Sequence, residues 1–164
     1  MLAPRICRQS PPEYALHAAY SEREGCYVDC YSSTVPGQVD LPTFVAYFYR
    51  TWLFRIERWL LARAVKKPSS DADVAAIAAG TRRNFAVWTL EGRTDNQLLL
   101  CDISGRTRSW FMVEPAGDQT RIYFGSVVVP KDGGATSIGP GFTALMGFHK
   151  LYSRALLTVA RPAR

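Results

Sequence analysis

The sequence predicts an α+β domain, a curved antiparallel sheet of about five strands packed on a long C-terminal helix. Three observations carry this expectation. Four segments between residues 84 and 129 read as strands, and the turns between them are Gly92-Arg-Thr-Asp95, Ser104-Gly105 and Pro115-Ala-Gly-Asp118. Connections that short join antiparallel neighbours. A helical stretch from about Pro140 to Ala160 follows and stops at Arg161-Pro162. The 164 residues, 48% hydrophobic and 21% charged, suffice for one real core, and an antiparallel sheet needs its apolar face covered.

The elements follow in order. Residues 1–24 form an N-terminal lead-in, broken at Ser10-Pro11-Pro12, in which Glu13 to Arg23 allows a short helix. A single domain is expected over 25–162. Its first strand runs from about Cys26 to Val35 and closes at Pro36-Gly37. Asp40 is placed to cap a helix, with Pro42 tolerated in the first turn. Leu41 to Val65 is helical by content and lack of breakers, apolar nearly all round, and therefore expected to kink or split before Pro68. Ser70 and Asp73 resemble a capping box ahead of a short helix over Val74 to Ala79. The strands Asn84 to Glu91, Gln97 to Ile103, Arg106 to Glu114 and Thr120 to Val129 then precede Pro130 and Asp132-Gly-Gly-Ala, which stop the sheet.

Composition narrows the function classes. The longest apolar stretch is interrupted by arginine, so no membrane-spanning helix is expected. The first eight residues carry early charges and no apolar run, so a cytoplasmic location with reduced cysteines is expected. Cys26 and Cys30, on one strand, would stand roughly 13 Å apart at ~3.3 Å per residue, too far for a disulfide or a shared metal ion. His17 and His149 are the only histidines, and there is no HExxH, GxSxG or GxGxxG pattern. Gly133-Gly134 and Gly139-Pro140-Gly141 lack the Lys-Ser/Thr of a phosphate loop. No metal and no cofactor are therefore expected. Asp29, Asp102 and Glu114 fall in strands, and nothing in the sequence pairs them as catalytic carboxylates.

The net charge of +6 is local. Between Leu41 and Lys67 six basic residues (Arg50, Arg55, Arg58, Arg63, Lys66, Lys67) face one acid, Glu57, which leaves +1 for the rest. Aromatic residues interleave with these arginines from Tyr47 to Trp59. The arginines spread over most of the helical circumference, which argues against a nucleic-acid groove or a membrane-surface helix. A buried helix with snorkelling arginines, or a dimer or partner surface, fits better.

Four segments carry a resemblance: Tyr27-Val-Asp-Cys-Tyr31, Trp52-Leu-Phe-Arg-Ile-Glu-Arg-Trp-Leu60, Asn96-Gln-Leu-Leu-Leu100 and Phe148-His149-Lys-Leu151. With the element order, they make residues 25–162 similar to the helix-grip superfamily (START-like, Bet v 1-like or SRPBCC), in a short five-stranded form. Within it the chain resembles an uncharacterised bacterial family known only as a domain of unknown function. The resemblance implies a cavity for an apolar or aromatic small molecule, and no agreed catalytic residues.

On the last helix, Leu145, Phe148, Tyr152, Leu156 and Val159 share one arc, and His149 falls inside it. An imidazole aimed at the sheet could serve as acid, base or polar anchor. On the fourth strand, Trp110 and Met112 share a face opposite Phe111 and Val113, and parity leaves open which pair points inward. The expected ligand site is thus Trp110, Met112, Leu145, His149 and Tyr152, holding an apolar small molecule between the sheet and the C-terminal helix. Two alternatives stand beside it. One is a dimerisation or interaction module built on residues 41–67, without ligand. The other is weak acid–base catalysis through His149, for which the sequence offers no catalytic partner.

Overall fold

Local sequence signals set the helices. In the computed structural model, which describes residues 6–51, 70–85, 88–103 and 105–130, the Asp40 side chain accepts from the Thr43 main-chain N–H at 2.8 Å. It caps helix α1, Leu41–Arg50, with Pro42 in the first turn. Helix α2, Asp71–Ala78, opens on a reciprocal capping box between Ser70 and Asp73. Each device satisfies main-chain donors that a helix start leaves without partners. The short helix expected in the lead-in is reduced to a 3₁₀ turn over Ala18–Glu22. The second half of the long helix expected over 41–65 lies outside the described residues.

The strands are β1 (Cys7–Arg8), β2 (Tyr27–Pro36), β3 (Asn84–Phe85), β4 (Trp88–Arg93), β5 (Gln97–Asp102), β6 (Thr107–Ala116) and β7 (Gln119–Val128). They form one sheet in the order β1-β2-β7-β6-β5-β4-β3, every pair antiparallel. The meander expected between residues 84 and 129 is present, and β2 closes onto its last strand. A register shift between Leu90 and Gly92 bulges β4.

The architecture corrects the expected fold class. The sheet has seven strands rather than about five, because the two-residue strands β1 and β3 extend it at both edges. Its cover is also different. One face packs on the two short helices: Phe48 of α1 stacks on Phe124 with centroids 4.7 Å apart and meets Phe111 edge-on at 4.7 Å. Tyr49 meets Phe85 edge-on at 5.2 Å. Leu98, Leu100, Val113 and Ile122 complete that layer with Val74 and Ile77 of α2. Rings in these arrangements add about 0.5–1.5 kcal/mol per pair beyond area burial. The opposite face carries Cys30, Leu99, Trp110, Met112, Tyr123 and Val127, covered by Ala15, Leu16 and Tyr20 of the N-terminal segment. Among the described residues the sheet is thus sandwiched between α1–α2 and irregular chain, with no long helix against it. The stretch from Pro140 to Ala160 expected to form that helix lies outside the described residues.

Helix α1 also bears on the interaction reading. Phe44, Val45, Phe48 and Tyr49 are buried, while Thr43, Tyr47 and Arg50 line the exposed side. Its aromatic residues are thus mostly core, on an ordinary amphipathic helix.

Candidate functional site

Two polar features that interrupt the apolar layers involve Asp29. On the α1 face, successive rungs across β2, β7 and β6 read Tyr31–Phe124–Phe111 and then Asp29–Ser126–Ser109. The face turns from aromatic to small and polar in one step. Asp29 is 2% exposed and Ser126 1%. Asp29 Oδ1 accepts from the Ser126 main-chain N–H at 2.8 Å and from the Ser126 hydroxyl at 2.7 Å. Its Oδ2 accepts a longer bond, 3.2 Å, from the Tyr27 hydroxyl. The ion pairs Arg82–Asp73 and Arg108–Glu91 do not reach Asp29. Burial raises the Tyr27 phenol, and the charge of Asp29 raises it further. On the same face, at the far side of the sheet, the Trp88 indole Nε1 is buried without a partner.

On the other face the Asp29 main-chain carbonyl contacts His17 Nε2 at 3.1 Å. A carbonyl only accepts, so Nε2 carries the proton and Nδ1 is a bare acceptor. That Nδ1 is buried without a hydrogen-bond partner. The imidazole stacks on Trp110, centroids 4.1 Å apart, and is fully buried. Burial lowers its pKa from 6.5 to about 4, partly opposed by the bond to Asp29, so the ring is neutral near pH 7. Gly125 makes this seat possible. A Cβ there would stand 2.5 Å from His17 Nε2, 2.7 Å from the Asp29 carbonyl oxygen and 3.0 Å from Trp110 Cε3.

The remaining polar contacts fasten the N-terminal segment. Gln97 Oε1 accepts from the Leu16 N–H at 2.9 Å and from Trp110 Nε1 at 3.0 Å, while its Nε2 donates to the Tyr14 carbonyl at 3.1 Å. Glu114 accepts from the Tyr14 and Tyr123 hydroxyls, each at 2.6 Å. The β4 bulge sets Glu91 where it accepts from Tyr20 and from Arg108 Nε, the latter at 3.2 Å. The Arg23 and Arg108 guanidiniums lie 4.4 and 4.9 Å from the Tyr20 ring centroid. Cys30, beneath this cover, has its thiol pushed up to about 12, first by burial and then by the charge of Asp29.

The expected site residues separate accordingly. Trp110 and Met112 share a face, as expected, but it is the face under the N-terminal segment, where both are 0% exposed. Trp110 offers no open wall, because His17 covers its ring and Gln97 occupies its N–H. Phe111 and Val113 point to α1 instead. Leu145, His149 and Tyr152 lie outside the described residues. Sequence reasoning did not single out His17, Gly125 or Ser126, and left Asp29 without a partner. The usable signal was Phe124-Gly125-Ser126, a glycine inside a strand, which marks close approach of another group. Among the described residues no cluster of three or more His, Cys, Asp and Glu could hold a metal ion. No helix there is long and apolar enough to cross a membrane. Comparison with protein-family models, curated proteins and solved structures finds no match to the chain.

Proposed function

We propose that the domain binds a small molecule with an apolar body on the α1 face of the sheet, held at its polar end by the Asp29–Ser126–Ser109 rung. One observation carries the reading: a contiguous row of small polar side chains, with a buried carboxylate at its head, adjoins the apolar layer one rung from the strand ends. A core sealed by its own side chains favours large apolar residues there, since buried polar groups cost free energy unless bonded. Ligand pockets combine the same ingredients, apolar walls and a few convergent polar groups. Cys7, Cys26, Cys30 and Cys101 form no disulfide, which suits a protein of the reducing cytoplasm. The dimerisation reading rests on residues 41–67, and over its described part, α1, most of the aromatic residues are committed to the core.

Native mass spectrometry of the purified protein tests the proposal. A bound mass is expected on the wild-type chain and its loss is expected in Ser109→Leu, which fills the rung with apolar volume. Ser109→Leu should still unfold cooperatively, with a midpoint within a few degrees of wild type. A wild-type chain that carries no bound mass, together with a Ser109→Leu variant crippled by overpacking, would show that the row is filled core.

A further inference from the structure

We propose that the ligand of this site is an organic amine, an ammonium group on an apolar or aromatic body. The proposal rests on the small-molecule reading above and adds the chemical class. It starts from the acceptor chemistry of Asp29. Both carboxylate oxygens receive hydrogen bonds, and every donor among the described residues is neutral: the Ser126 N–H, the Ser126 hydroxyl and the Tyr27 hydroxyl. Oδ1 takes two of the three, while Oδ2 holds only the 3.2 Å contact. A carboxylate oxygen has two acceptor positions, so Oδ2 retains one for a further donor.

Among the described residues no cation bonds Asp29; the nearby Arg8, exposed, acts on the Tyr27 phenol instead. Asp29 takes part in neither Arg82–Asp73 nor Arg108–Glu91. The His17 imidazole is neutral and bonds the main-chain carbonyl from the opposite face. A buried charge without a partner is costly, and hydrogen bonds from a cation are roughly twice as strong as neutral ones. An ammonium group supplies both a further donor and a directly bonded opposite charge. A hydroxyl supplies only the donor, and a carboxylate is repelled.

The neighbouring rings fit the same ligand. Tyr27 and Tyr31 lie two residues before and after Asp29 on β2, so alternation places all three on one face, each ring ~7 Å along the strand from the carboxylate. Tyr31 is buried in the aromatic layer, and Phe124 lies on its rung. Aromatic faces attract organic cations, so the tyrosines reinforce the preference set by Asp29.

Titration calorimetry with two matched probe trios tests this: octylamine, octanol and octanoate, and 2-phenylethylamine, 2-phenylethanol and 3-phenylpropionate. The amine of at least one trio should bind about tenfold more tightly than its alcohol and carboxylate. Asp29→Asn, nearly isosteric, should erase that preference. If Asp29→Asn does not fold, Tyr27→Leu, which removes one ring and leaves the carboxylate, should weaken the amine more than the alcohol. Alcohol or carboxylate binding as tightly as the amine overturns the amine class and leaves the small-molecule reading standing. Equal discrimination by wild type and Asp29→Asn overturns the role of Asp29. Failure of all six probes, with no bound mass on the purified protein, overturns both proposals.

Discussion

Replacing Gly125 by alanine is expected to destabilise the protein by about 3 kcal/mol, combining overpacking with loss of the His17 hydrogen bond. On a chain of this size that corresponds to a fall in Tm of about 10 °C. The added methyl carbon would lie 2.5 Å from His17 Nε2, 2.7 Å from the Asp29 carbonyl oxygen and 3.0 Å from Trp110. Two of these neighbours cannot yield cheaply, since the carbonyl belongs to the sheet backbone and the indole is pinned by Gln97. The imidazole must therefore leave its seat. Adding His17→Ala to Gly125→Ala should cost less than the sum of the single changes, because both act on one contact. Chemical denaturation of the four proteins measures this. A Gly125→Ala variant as stable as wild type would mean that the imidazole is not wedged there.

The second large effect is a pH dependence that belongs to His17. Its folded pKa is lowered to about 4 by burial, against 6.5 for a free side chain. Below pH 6.5 the unfolded chain takes up a proton that the folded chain refuses until about pH 4. Stability from this group is therefore complete above pH 6.5 and is lost as pH falls toward 4. The shift amounts to about 3 kcal/mol at 1.36 kcal/mol per unit. His17→Gln should be less stable than wild type at pH 7, and the gap should close progressively toward pH 4. Carboxylates titrate in both proteins, so the difference between the two denaturation curves isolates the imidazole. A gap that stays constant with pH would assign the stabilisation to packing alone.

What was legible in the sequence was local. Asp40 and the Ser70–Asp73 pair announce their helices because a cap is written within four residues. The meander was legible because its turns are short. The edge strands β1 and β3 were not, since two residues carry no periodicity and exist as strands only through their partners. The parity of Trp110 and Phe111 stayed open for a physical reason. Both faces of β6 are buried, so the clean alternation of a half-exposed strand is missing. The expectation of a single helical cover followed from the same gap. An irregular segment such as residues 10–25 covers a face through single contacts, Leu16 to Gln97 or Tyr20 to Glu91, which leave no pattern in a window of sequence. Asp29 was visible as an acid in a strand, and its neighbours became visible only with the register of β2 on β7.

The four thiols also give the molecule an internal clock. Cys7 is exposed, whereas Cys30 is sealed beneath the N-terminal segment with its thiol held in the unreactive form. Alkylation proceeds through the thiolate and needs access, so Cys7 reacts from the closed state while Cys30 waits for the segment to lift. The ratio of the two labelling rates measures how often that lift occurs. Because the Asp29 main chain grips His17 while its side chain heads the polar rung, binding of the proposed ligand at the rung should slow Cys30 labelling without touching Cys7. One residue thereby lets events on one side of the sheet be timed from the other.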